Sequence, residues 1–225
     1  MQRKSLAQET LKWIACVTML IDHIGAVFLP GYGLRIIGRI SFPIFCFLLA
    51  EGARHTRSPG KYALRLAISA AVSEVPYDLL FYGGIHWQHQ SVMVTLLIGL
   101  LTLVWMSRLK RFPFLPMLLG FGLAELSGGD YGCWGVALII LFALTAEYEQ
   151  QHWIQLLAMA AIFLLMNSTR IPVLGIPIQL FGLLAMVPIG LYSGRKATAN
   201  PWIQRGFYLF YPIHLFILLG VYRYV

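Results

Sequence analysis

The sequence predicts an all-α, polytopic membrane helical bundle with about nine transmembrane helices. Three observations carry that expectation. Hydrophobic residues make up 59% of the 225-residue chain and charged residues only 12%, where soluble domains hold about 45–50% and about 25%. The apolar residues fall in runs long enough to cross about 30 Å of hydrocarbon as helices. Lysines and arginines collect between those runs, which is the pattern that orients membrane helices. One integral-membrane domain over residues 1–225 is the organisation expected.

The net charge of +8, from 17 basic and 9 acidic residues, would point to nucleic acid in a soluble protein. Here the basic residues sit in loops between apolar runs and no nucleic-acid motif is present, so membrane orientation accounts for them. Cys16, Cys46 and Cys133 lie within or at the edge of apolar runs without a CxxC pair, and read as small buried hydrophobes. His86 and His89 in GGIHWQHQ lack a third ligand, so no metal is expected.

The apolar runs fall at roughly 11–30, 34–53, 62–82, 91–108, 131–148, 152–167, 173–192 and 206–225. The first follows MQRK like a signal peptide, but it is too long, contains Asp22-His23 and precedes no small-x-small site, so it reads as an uncleaved span. The run 112–127 is shorter and holds two prolines, so it is either a ninth span or a re-entrant piece. The loops decide. Arg3 and Lys4, then Arg54, Arg57 and Lys61, then Arg108, Lys110 and Arg111, then Arg195, Lys196 and Arg205 form four clusters. They share one side only if 112–127 crosses. That side is then cytoplasmic, with the N-terminus in and the C-terminus out.

Charge inside the spans is the second signal. Asp22 and His23 lie side by side in span one, Arg35 and Arg39 enter span two one turn apart, and Glu74 and Asp78 flank Pro76 in span three. An ionisable group at the centre of a membrane helix costs about 2.5–3.5 kcal/mol, so these groups are expected to face one another or a wet cavity. Arg39 is expected within salt-bridge distance of Asp22 or Glu74. Adjacent helical residues point about 100° apart, so Asp22 pairs with an arginine while His23 faces a substrate as general base. His214, beside Pro212 and one turn after Tyr211, reads equally well as a helix-tying or a functional histidine. Arg54, Arg57, Lys61 and Arg65 read either as topology determinants touching lipid headgroups or as a site for a polyanion.

The segments MLIDHIG, GRISFPIFCFLLAEG with HTR, KYALRL, SEVPYDLL, DYGCWG and FYLFYPIHLFIL, in this order, resemble the TraX family over most of the chain. That family is named for a conjugal-transfer protein that N-acetylates F-type pilin, and it is similar to the wider transmembrane acyltransferases. The resemblance marks Asp22, His23, Gly38, Arg39, Phe42, Pro43, Tyr131, Gly132, Gly135, Tyr211 and His214. Relatives often carry an asparagine before the fourth span; this chain reads Gln90-Ser91-Val92 there.

The resemblance implies a multi-pass acetyltransferase of the bacterial inner membrane. Acetyl-CoA is the donor, its phosphates on some of Arg54, Arg57, Lys61 and Arg65. The acceptor is a peptide N-terminus, glycan or small molecule at the bilayer. His23, Asp22, Arg39 and His214 are the candidate catalytic residues. Arg35, Glu74, Asp78, Tyr131 and Tyr211 are candidates for substrate or oxyanion contact. A small proton- or solute-coupled transporter using the same charges, and a structural partner in a secretion complex, are the competing classes.

Overall fold

The computed structural model describes residues 6–29, 31–148, 151–166, 168–172, 174–195 and 201–224, and of 201–205 the backbone. The described residues form α1 (Gln8–Val27), α2 (Gly33–Gly38), α3 (Ser41–His55), α4 (Pro59–Phe81), α5 (Val92–Arg108) and α6 (Phe114–Leu126). Then follow α7 (Gly132–Thr145), α8 (Gln151–Leu165), a 3-10 helix (Ile178–Ala185), α9 (Met186–Gly190) and α10 (Pro201–Tyr224). α2 and α3 join across a break at Arg39 and Ile40 into one apolar segment, Gly33–His55, and the 3-10 helix and α9 join into Ile178–Gly190. The result is nine helical segments and no β-strand among the described residues.

Gln8–Val27, Gly33–His55 and Gly206–Tyr224 are long and apolar enough to cross a membrane. Five further apolar helices run 10–17 residues, about 15–26 Å of rise. α4 is long but carries Lys61, Arg65, Glu74 and Asp78. It is built with its apolar side outward. Leu64, Ile68, Val72 and Val75 are exposed along one stripe, while Ser69, Ser73, Tyr77 and Asp78 are buried. That inversion is what lipid rewards, since hydrocarbon is as apolar as leucine and polar groups must find partners inside the protein. Ser73 accordingly donates to the Ser69 carbonyl, and Ser69 to the Tyr208 carbonyl.

The chain divides into two compact units: residues 1–48 with 145–207, and residues 49–144 with 208–225. In the first, α1 and α2 approach closely because Gly25 meets Leu34 without an intervening Cβ. The residues before α1 are tied to those after α9: the Leu6 N–H donates to the Leu191 carbonyl, and the Ser193 N–H and hydroxyl both donate to the Leu6 carbonyl. The stretch after α9 therefore lies on the same side as the start of α1, which agrees with an even number of crossings between them.

In the second unit α5 and α6 form a hairpin. A Cβ at Gly120 would overlap Thr102, and the spacing left by that glycine lets the two helices touch. At one end the loop before α5 meets the loop before α7. Gln90 N–H donates to the Gly128 carbonyl, Asp130 N–H donates to the Gln90 carbonyl, and the Thr95 hydroxyl donates to the Asp130 carbonyl. At the other end Arg108, closing α5, and Pro113, opening α6, line one cavity. α6 thus returns between the same two ends that α5 connects. The proline-bearing run 112–127 carries one 13-residue helix, α6, packed along α5.

Candidate functional site

Two polar clusters lie among the apolar helices, one in each unit. In the first unit Asp22 is buried on α1, and Arg35 and Arg39, one turn apart, both reach it from α2 and its end. Arg39 Nη2 donates to Asp22 Oδ1 and Oδ2 at 2.5 Å, and Arg35 Nη1 donates to Oδ2 at 2.9 Å. Arg39 Nε also donates to the Arg35 carbonyl at 3.3 Å. Asp22 and Arg39 are each only 7% exposed. A third of the Arg35 side chain remains accessible, so it closes the cluster toward solvent. Gly38 makes the arrangement possible: a Cβ there would overlap the Asp22 carboxylate.

One carboxylate between two guanidinium groups leaves one positive charge in excess. Such fixed donors suit an anion that forms in place. His23 follows Asp22 and is half-buried. Asp22 is turned to the arginines, leaving the imidazole on the adjacent direction of α1.

In the second unit α4 brings Glu74 to the start of α5. The Ser91 hydroxyl donates to Glu74 Oε1 at 2.6 Å, and the Ser91 N–H donates to both carboxylate oxygens at 3.2 Å. Tyr211 of α10 is hydrogen-bonded with Ser91 and stands near Glu74 and Asp130. Asp78 Oδ2 accepts the His86 N–H at 2.8 Å and so pins the following loop; its Oδ1 is enclosed without a donor among the described residues. Tyr131 has φ +70°, followed by Gly132 at +45°. A side-chain-bearing residue in that left-handed region is uncommon, and here it turns the chain from the Asp130 loop into α7.

The remaining predicted residues separate. His214 is buried on α10, and its Nδ1–H donates to the Phe210 carbonyl at 2.8 Å with the Phe210 ring stacked on the imidazole. Since a carbonyl only accepts, that bond assigns the proton to Nδ1 and leaves the lone pair on Nε2. His86 and His89 flank Tyr82 as ring neighbours, and no metal-binding group of His, Cys, Asp or Glu exists among the described residues. Arg65 lies over the Tyr62 and Tyr208 rings, and Arg57 and Lys61 are exposed. Arg54 alone of those four lines the cavity, where Arg108 and Lys110 join it. Arg3, Lys4 and Lys196 lie outside the described residues. Ser91 is the polar residue that sequence reasoning missed. Its place at the start of an apolar run reads as a helix cap, and nothing local names Glu74 as its partner.

A buried ionic cluster built from two apolar segments, in a chain of helices that bury polar side chains and expose apolar ones, defines a polytopic helical membrane protein. The chain belongs to the TraX family, whose description "TraX protein" matches residues 7–222. It is 30% identical over 231 residues, covering 92% of both chains, to a protein of Dichelobacter nodosus named "Probable fimbrial assembly protein FimC, serogroup H1". It is 23% identical over 245 residues, 99% of this chain and 95% of the other, to an uncharacterized protein of Rickettsia prowazekii (strain Madrid E). No solved structure matches it.

Proposed function

We propose that this protein is a membrane-embedded acetyltransferase that moves an acetyl group from acetyl-CoA to an acceptor amine or hydroxyl, such as the N-terminus of a pilin-like protein. The observation that carries the reading is the Asp22–Arg35–Arg39 cluster, which holds an excess cationic charge one residue from His23. TraX membership and the fimbrial-assembly name of the Dichelobacter relative support a surface-fibre acceptor.

In this reading His23 takes the proton from the acceptor as its lone pair attacks the acetyl carbonyl carbon. The carbonyl oxygen becomes an oxyanion, and the partly open Arg35 guanidinium is assigned to it as a fixed donor. Removing such a donor typically costs about 100- to 1,000-fold in rate. Collapse re-forms the carbonyl and breaks the carbon–sulfur bond, and the leaving thiolate takes the proton from the imidazolium. A variant of the same chemistry passes the acetyl group through His23 itself. Asp22 holds both arginines and takes no part in proton transfer. The donor approaches from the cytoplasmic face, on the side of Arg54, and the N-terminus lies in the cytoplasm of a bacterial inner-membrane location.

The purified chain tests the reading. Incubated with labelled acetyl-CoA and a peptide with a free N-terminus, it is expected to release coenzyme A and label the peptide, and His23→Ala is expected to do neither. Donor left intact by the wild-type chain, together with solute flux when the same protein is placed in liposomes, would establish the transporter class instead.

A further inference from the structure

The ends of α3, α5 and α7 and the starts of α4 and α6 surround a cavity of about 520 Å³. Its size suits a small organic ligand, since such sites run about 300–1,000 Å³. Arg54, Arg108 and Lys110 line it together with Leu103, Met106 and Leu144. No acidic residue lines it among the described residues. Arg54 donates to Glu51 at 3.3 Å, whereas no side-chain hydrogen bond or ion pair of Arg108 or Lys110 occurs among the described residues.

Setting membrane orientation requires only that cations lie beyond the end of a span. It does not require them to gather from chain positions 54, 108 and 110 around an apolar recess. Three cations and several apolar side chains lining one cavity suit an amphiphile that carries a phosphate. Arginine binds phosphate through paired N–H donors and lysine as a point charge.

We infer that this cavity binds a phosphate-bearing amphiphile, with the phosphate on Arg54, Arg108 and Lys110 and the uncharged portion along Leu103, Met106 and Leu144. Two sources share that chemistry: an anionic phospholipid of the surrounding bilayer, and the phosphopantetheine arm of coenzyme A. The second rests on the acetyltransferase reading; the first does not.

Calorimetry on the purified full chain in neutral detergent separates them, with coenzyme A, short-chain phosphatidylglycerol and short-chain phosphatidylcholine titrated singly. The double variant Arg108→Gln/Lys110→Gln removes the cavity's unpaired cations. Arg57→Gln/Lys61→Gln removes the same charge outside it. Coenzyme A or phosphatidylglycerol is expected to bind at least about tenfold more weakly to the first double variant, as loss of charge-assisted contacts predicts, and unchanged to the second. Response to coenzyme A alone assigns the donor, and response to phosphatidylglycerol alone assigns the lipid.

Should the glutamine pair fail to fold, Leu144→Trp narrows the cavity without changing charge and is expected to weaken the same probe. Binding of neither probe, equal losses in both double variants, equal affinity for phosphatidylcholine, or an unaffected Leu144→Trp would each overturn the inference. His23→Ala keeps the binding while losing turnover, so failure of the cavity and failure of the enzymatic reading are read separately.

Discussion

Asp22 and Glu74 are both carboxylates set among apolar helices, and their surroundings satisfy them in opposite ways. Asp22 is answered by charge, with the guanidinium groups of Arg35 and Arg39 on its two oxygens. Glu74 is answered by neutral donors, the hydroxyl and N–H of Ser91. The first cluster has an excess of positive charge. The second, with Asp78 and Asp130 near its members, has an excess of negative charge. An ion pair out of water is costly to break, because either partner left alone is an uncompensated charge. A carboxylate held by a hydroxyl and an N–H loses less when one donor goes. The two clusters therefore carry different mutational signatures, and the cationic one is the better seat for a reaction that builds an anion.

The largest stability effect belongs to Asp22→Ala. It strands two guanidinium groups, one of them buried, and is expected to cost about 3–5 kcal/mol, read as a fall in the thermal midpoint of the detergent-solubilised protein. A loss below about 1 kcal/mol, the scale of an exposed pair, would erase the contrast between the clusters. Gly38→Ala comes next. Its methyl group occupies the space of the Asp22 carboxylate, so α2 or the aspartate must shift, at about 1–3 kcal/mol. An additional Asp22→Ala change should recover part of that cost, and strict additivity of the two would break the geometric claim.

Ser91→Ala removes one hydroxyl from Glu74 and leaves the N–H, for an expected loss of about 1–2 kcal/mol. Pairing it with Glu74→Gln should give less than the sum of the single changes. A Ser91→Ala cost as large as that of Asp22→Ala would mean the second cluster is as charge-dependent as the first. The smallest effect is Gln90→Ala. The bridge to the Asp130 loop runs through the Gln90 backbone, so truncating its side chain is expected to change stability by less than about 0.5 kcal/mol.

Much of the fold was legible because lipid leaves few options for the backbone. Apolar runs of the right length become helices, and the run 112–127 forms one of them, α6. The Asp22–Arg39 pair was legible for the same reason: an unpaired charge in a span is expensive, and few partners are available. Arg35 read as a substrate contact because its sequence position does not disclose that Asp22 offers an oxygen to each arginine. Glu74 is held by Ser91, a residue without charge and hence without a sequence signal.

The basic loop taught a similar lesson. Arg54, Arg57, Lys61 and Arg65 are neighbours in sequence, yet Arg65 is folded over two tyrosine rings while Arg54 joins Arg108 and Lys110, more than fifty positions away. Charge clusters in a chain are visible; charge clusters in space depend on which helix ends meet.

The claim that His23 beside the Asp22–arginine cluster is the reacting histidine is tested most directly by transfer of label from acetyl-CoA in two single variants. His23→Ala and His214→Ala are each first checked for monodispersity and for coenzyme A binding. Loss of a general base costs about 100- to 10,000-fold, so His23→Ala is expected to lose turnover on that scale while still binding donor. His214→Ala is expected to fall less, because its Nδ1–H is already engaged by the Phe210 carbonyl within α10. A near-normal rate in His23→Ala with an inactive His214→Ala would contradict the account and move the chemistry to α10.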